Sequence, residues 1–105
     1  MENEELQKEH ISYEERKKVY LNALIAFGDF MQMVVAVEEM AECIQAVCKI
    51  LRGGENFDHL AEETADATIM LEQMRLLINI NERVSSYMDA KVNRLDKRLG
   101  GTGNG

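Results

Sequence analysis

The chain has no proline, no strand-like alternation, and no apolar run approaching the roughly 18 residues that mark a membrane span. Without proline nothing interrupts a helix from within, so long unbroken helices are expected. No signal-peptide pattern is found, and the cytosol is the default compartment. Cysteine is scarce: Cys43 and Cys48 stand five apart on one apolar helix. They are too few and too mutually misdirected for a local disulfide or a zinc site, and are read as buried thiols. Positive charge is the scarcer sign, 12 Lys and Arg against 19 Asp and Glu, and the formal charge of −7 opposes non-specific binding to duplex nucleic acid. His10 and His59 fall in segments expected to be exposed, without the partners of a nucleophilic or zinc constellation, and receive surface roles. No Glu-x-x-His occurs, although a ferritin-type di-metal oxidase wants that motif on two helices.

What is present is helical punctuation. A chain of 105 residues suits one domain, and at this size a helical chain often completes its core by associating with copies of itself. Ser12-x-x-Glu15 forms a capping box for a helix to about Ala26, whose apolar residues include Val19, Leu21, Leu24 and Ile25. Gly28 permits a break before a long helix from about Asp29 to Leu51, and Gly53-Gly54 ends it. Asp58 is expected to cap a third helix reaching about Ile80. Asn81 is expected to cap a fourth, in which Val84, Met88, Val92, Leu95 and Leu99 recur before Gly100-Gly101. The predicted fold class is all-α, a four-helix antiparallel bundle over residues 11–99. A charged, frayed segment (1–10) precedes it and a flexible Gly-rich tail (100–105) follows.

The stretch Val37-Glu38-Glu39-Met40-Ala41-Glu42 sets three carboxylates into an otherwise apolar helix. At about 100° per residue, Phe30, Val34, Val37, Ala41, Ile44, Cys48 and Leu51 fall on one apolar seam. Glu39 points roughly opposite, among Val35, Cys43, Ala46 and Ile50, and Glu42 borders the same face. Burying an unpaired acid is costly, so a cation is expected there. A second acidic set follows in Glu62-Glu63-Thr64-Ala65-Asp66, where Leu60, Thr64, Ala67, Leu71, Met74 and Ile78 mark a seam with Glu63 and Asp66 on its flank. Glu39, Glu42, Glu63 and Asp66 would supply four oxygen ligands and no soft ones, the set that Mg²⁺ prefers. The competing reading is a solvated acidic face with Lys49 and Gln45 as neighbours. It accounts for Glu38, which either orients a ligand or metal-bound water or lies at the polar edge, but not for Glu39. Glu62 is read as exposed or as an outer neighbour of the ligands.

The order E-E-M-A-E, about twenty residues, then E-T-A-D resembles the EExxE…ExxD signature of the MazG-like all-α nucleoside triphosphate pyrophosphohydrolases. Gly28, Gln32, Lys49, Arg52-Gly53 and the run from Ile69 to Gln73 extend the resemblance over roughly residues 27–78, particularly to short single-domain forms. It implies hydrolysis of a nucleoside triphosphate to the monophosphate and pyrophosphate, with Mg²⁺ held by Glu39, Glu42, Glu63 and Asp66 and Mn²⁺ as a substitute. It also points to a homo-oligomer, a dimer or a dimer of dimers.

Two ions would clamp the phosphates and lower the pKa of a bound water, with Glu38 or Glu42 as general base beside Glu39. Gln32 and Met70 are candidates for the nucleobase, with interface amide and core filler as their alternatives. Lys49, and Lys91 and Arg94 on the last helix, are candidates for the phosphates. Lys91, Arg94 and Arg98 serve equally as cations at a helix's negative end. The alternative function is a non-catalytic helical interaction or regulatory protein with a solvated acidic face. The base, sugar and physiological role stay open.

Overall fold

The computed structural model describes residues 10–101 and gives them four α-helices and no strand. They are α1 (Tyr13–Phe27), α2 (Asp29–Leu51), α3 (Phe57–Leu77) and α4 (Asn81–Arg98). Residues 1–9 and 102–105, with most of the frayed segment and tail expected from sequence, lie outside the described residues. The α1 capping box forms: the Glu15 amide donates to Ser12 Oγ at 3.1 Å, and the Ser12 amide donates to the Glu15 carboxylate at 3.0 Å. Gly28 separates α1 from α2 at φ 89°, a conformation that side-chain-bearing residues rarely adopt, and the chain bends there by 114°. No single helix among the described residues is long and apolar enough to cross a membrane.

Two caps differ from the sequence expectation. Asn56, not Asp58, caps α3, its Oδ1 accepting the His59 amide at 3.0 Å. Asp58 sits within the first turn instead, where a negative charge complements the helix dipole. Asn81 does not cap α4, because its Oδ1 is taken by Arg75 Nε at 2.8 Å. Helix α3 ends at Leu77 rather than near Ile80, and Asn79 turns the chain at φ 56°, a left-handed region that asparagine tolerates.

Helices α2 and α3 form an antiparallel hairpin that holds most of the tertiary contact. The face α2 uses is not the seam that begins at Phe30. Gln32, Ala36 and Ala46 are buried and Val35, Glu39, Cys43 and Ile50 half-buried, while Phe30, Val37, Ala41, Ile44 and Leu51 stay exposed. On α3 the packed stripe is Glu63, Ala67, Met70 and Gln73, whereas Thr64, Leu71 and Ile78 are exposed. Alanine at the contact lets two helix axes approach toward the short end of their usual spacing, which the bulkier seam would prevent. Both acids therefore stand on or beside the packed stripe instead of on its outer flank. Cys43 and Cys48 are half-buried free thiols, not fully buried ones.

Helix α1 crosses the hairpin and buries Tyr20 and Leu24, leaving Val19, Leu21 and Ile25 exposed. The Tyr20 hydroxyl donates to Glu72 Oε1, which Arg16 also approaches at 3.5 Å. Burial, then the bond to Glu72, push the phenol up to about 12. Helix α4 touches α3 alone and buries none of its residues. Arg75 ties it down, donating through Nε to Asn81 Oδ1 and through Nη2 to the Asn81 carbonyl at 3.4 Å and Ser85 Oγ at 2.5 Å. The Cα radius of gyration is 16.8 Å, where a compact domain of about this length has about 13 Å.

The Tyr20–Glu72 bond has a charged acceptor in a partly buried setting. Tyr20→Phe should lower unfolding stability by about 1–2 kcal/mol, the scale of a hydrogen bond to a charged group reduced for partial exposure. Urea denaturation checks this, and an unchanged midpoint would remove the bond from any account of how α1 is held.

Candidate metal centre

Spacing of i,i+3 places Glu63 and Asp66 on one side of α3. The hairpin sets Glu39 of α2 against them, and one carboxylate oxygen from each of the three lies within 4.8 Å of the others. Glu42, the next acid along α2, is exposed, yet its charge acts on both Glu39 and Glu63. Glu38 is also exposed and adds to the field at Glu39. Among the described residues no Lys or Arg pairs with any of these acids, whereas Arg16 pairs with Glu72 and Lys17 with Glu14.

Glu63 is only 9 % exposed, and its Oε1 is buried without a hydrogen-bond partner. Burial first, then the charges of Glu42 and Asp66 and a hydrogen bond between the Glu42 and Glu63 carboxyls, hold Glu63 above the usual carboxylate range, with His59 pulling the other way. Glu39 is raised as well, by burial and then by Glu42, Asp66, Glu63 and Glu38. Crowded carboxylates with no counter-charge titrate in this direction. An all-oxygen set with a buried orphan oxygen fits a hard divalent cation, which binds carboxylates at about 2.0–2.6 Å.

The other residues singled out from sequence are dispersed. Gln32 and Met70 are buried on the packed stripes of α2 and α3. Lys49 is exposed in the last turn of α2, and Lys91 and Arg94 are exposed on α4, which contacts neither α1 nor α2. The hydroxyls of Thr64 and Thr68 are committed to their own helix, donating to the Leu60 and Thr64 carbonyls at 2.7 Å. An open groove of about 580 Å³ lies between α1 and α3, lined by Arg16, Tyr20, Ile69 and Gln73 among others, and no acid of the cluster borders it.

Sequence reasoning missed His59. It is half-buried, and a ring nitrogen lies within 4.8 Å of oxygens of Glu62 and Glu63, which are in turn as close to each other. The signal was available in His59-x-x-Glu62-Glu63, whose i,i+3 and i,i+4 spacings put one helix face's side chains together. No family model, curated protein or solved structure matches this chain.

Because the folded state holds Glu39 and Glu63 above their ordinary value of 4.5, it binds protons more readily than the unfolded chain does. The metal-free protein should therefore carry the full contribution of these groups below pH 4.5 and lose it as pH rises through their raised values. Millimolar Mg²⁺ should reverse that loss, so the increase in Tm on adding metal should grow with pH across this window and vanish in acid. Melting curves with Mg²⁺ and with chelator from pH 4 to 8 measure it. A metal effect absent at every pH would assign the acids to a solvated face.

Proposed function

We propose that this chain is a Mg²⁺-dependent nucleoside triphosphate pyrophosphohydrolase of the MazG-like all-α type that its acidic signature resembles, working in the cytoplasm on free nucleotides. The observation that carries this reading is the convergence of Glu39, Glu63 and Asp66 oxygens within 4.8 Å across two helices. Those three residues, with Glu42 at the exposed rim, would hold the cation, and Mn²⁺ would serve in its place. A bound divalent ion supplies neutralisation of triphosphate oxygens and a water of lowered pKa. Glu39, Glu63 and Asp66 fix where that charge sits between the helices. Glu38 or Glu42, both exposed, would take the proton of an attacking water. Lys49, exposed in the last turn of α2, would meet the phosphates. Gln32 and Met70, being buried, would meet a base only where the α2–α3 interface opens.

The same reading includes a homodimer or a dimer of dimers. Phe30, Val37, Ile44 and Leu51 form an exposed apolar row on α2, and Met88, Val92, Leu95 and Leu99 form another on α4. Surfaces of this kind are covered by association more often than left in water. Lys91 and Arg94, exposed on α4, would contact the phosphates. The exposed rows also favour the alternative, a non-catalytic helical interaction protein, but that reading gives Glu63 no reason to be buried.

Product analysis over ribo- and deoxyribonucleoside triphosphates tests the activity. Pyrophosphate and a monophosphate should appear with Mg²⁺. Glu39→Gln or Asp66→Asn should cut turnover by about 100-fold or more, at least the effect of disturbing a metal ligand's support. Lys91→Ala should raise KM with metal-induced stabilisation intact. A fully active Glu39→Gln variant, or no turnover on any triphosphate, would end the enzyme reading.

Assembly is tested separately by light scattering. The mass should exceed 12.0 kDa, and the doubly substituted Val37→Glu, Ile44→Glu chain should fall to it. A wild-type monomer at micromolar concentration would contradict the oligomer.

A further inference from the structure

We propose that the open groove between α1 and α3 is a binding site for an uncharged nucleobase or nucleoside, recognised through the carboxamide of Gln73. The groove offers about 580 Å³, within the range of pockets that take small organic ligands. Its walls are mostly apolar, with Ile11 and Val19 from the α1 side and Ala65 and Ile69 from α3. Such walls suit the faces of a flat ring better than a phosphate. No acid of the metal cluster borders the groove, so the site stands apart from the proposed function and does not rest on it.

The observation that points to a ligand is the state of Gln73. Its side chain lines the groove and is only 7 % exposed, and its Oε1 is buried without a hydrogen-bond partner. Leaving an amide oxygen withdrawn from water and unpaired is costly. Rotation about the last, soft torsion of the side chain turns either the oxygen or the nitrogen toward the groove. The other polar groups of the lining are already engaged. Tyr20 donates its hydroxyl proton to Glu72, Arg16 faces the same carboxylate at 3.5 Å, and Thr68 donates to the Thr64 carbonyl at 2.7 Å. With its guanidinium matched by Glu72, Arg16 gives an anion little net attraction, which favours an uncharged ligand. A carboxamide sets a donor beside an acceptor, and an edge with the same pair reversed answers both at once. Glutamine reads nucleobase edges in this way, accepting from an exocyclic amine and donating to a ring nitrogen. Apolar walls for the ring faces and a free carboxamide for the ring edge are together what a base requires.

Free adenosine, guanosine, cytidine and uridine are titrated separately into the isotope-labelled full chain with chelator present, and amide shifts are followed by NMR. At least one should bind saturably, with the largest shifts at Val19, Ile69 and the Gln73 side chain, and ribose alone should not. Gln73→Leu, which keeps much of the side chain's size and removes the unpaired oxygen, should weaken that binding about 10-fold with Tm unchanged or raised. Ala65→Phe, at an exposed position of the lining, should block binding by filling the space. Benzoate, flat and anionic but without the donor–acceptor edge, should bind more weakly than the nucleoside. No saturable binding at millimolar nucleoside, full affinity in Gln73→Leu, or tighter binding of benzoate would overturn the site. Nucleoside binding that persists in chelator, on a chain whose stability and turnover ignore added metal, would uphold this site and remove the proposed function alone.

Discussion

Carboxylate crowding between α2 and α3 is the constraint to which the rest of the molecule answers. Glu39, Glu63 and Asp66 meet where apolar packing should be densest, and no lysine or arginine among the described residues offsets them. The buried apolar residues among those described are few and half of them alanine: Ala36, Ala46, Ala67 and Met70 on the hairpin, Tyr20 and Leu24 from α1. A core of that size has little to set against unpaired burial of charge. The repulsion is left without a counter-charge and the apolar rows without cover among the described residues. Both needs arise from one choice, the placing of acids on the packed stripe.

Most helix boundaries were legible because their signals are local. With no proline, Gly28 and Gly53 alone had to mark the ends of α2, and Ser12 with Glu15 marked the start of α1. Caps failed where two candidates stood close together or a distant residue intervened: Asn56 preceded Asp58, and Arg75 claimed Asn81 from six residues away. The packed face of α2 was harder to choose. Periodicity finds both of its apolar faces, but side-chain volume decides which one a neighbouring helix can approach, and the Phe30 seam is the bulkier. The acids were found from their order along the chain. His59 was passed over because it was weighed as a lone histidine instead of by its spacing to Glu62 and Glu63.

A solvated acidic face remains an adequate account of Glu38, Glu42 and Glu62, all of which are exposed. It fails at Glu63, whose carboxylate is withdrawn from water on a stripe shared with Ala67 and Met70. The difference between the two acidic readings is therefore sharpest at one buried oxygen atom, Glu63 Oε1. Helix α4 poses the complementary question, since it touches α3 alone and leaves Met88, Val92 and Leu95 exposed.

The alanines of the hairpin have a bearing on ion size. Acids supply charge but, being flexible, do not set the width of the gap they face. That width follows from how closely α2 and α3 approach, and small residues, Ala36 and Ala46 on α2 and Ala67 on α3, are among those buried on the two helices. Under the proposed function, the ionic radius that fits between the acids would be set by the spacing of two helix backbones, and a chain with the same acids but bulkier residues on the packed stripes would suit a different cation.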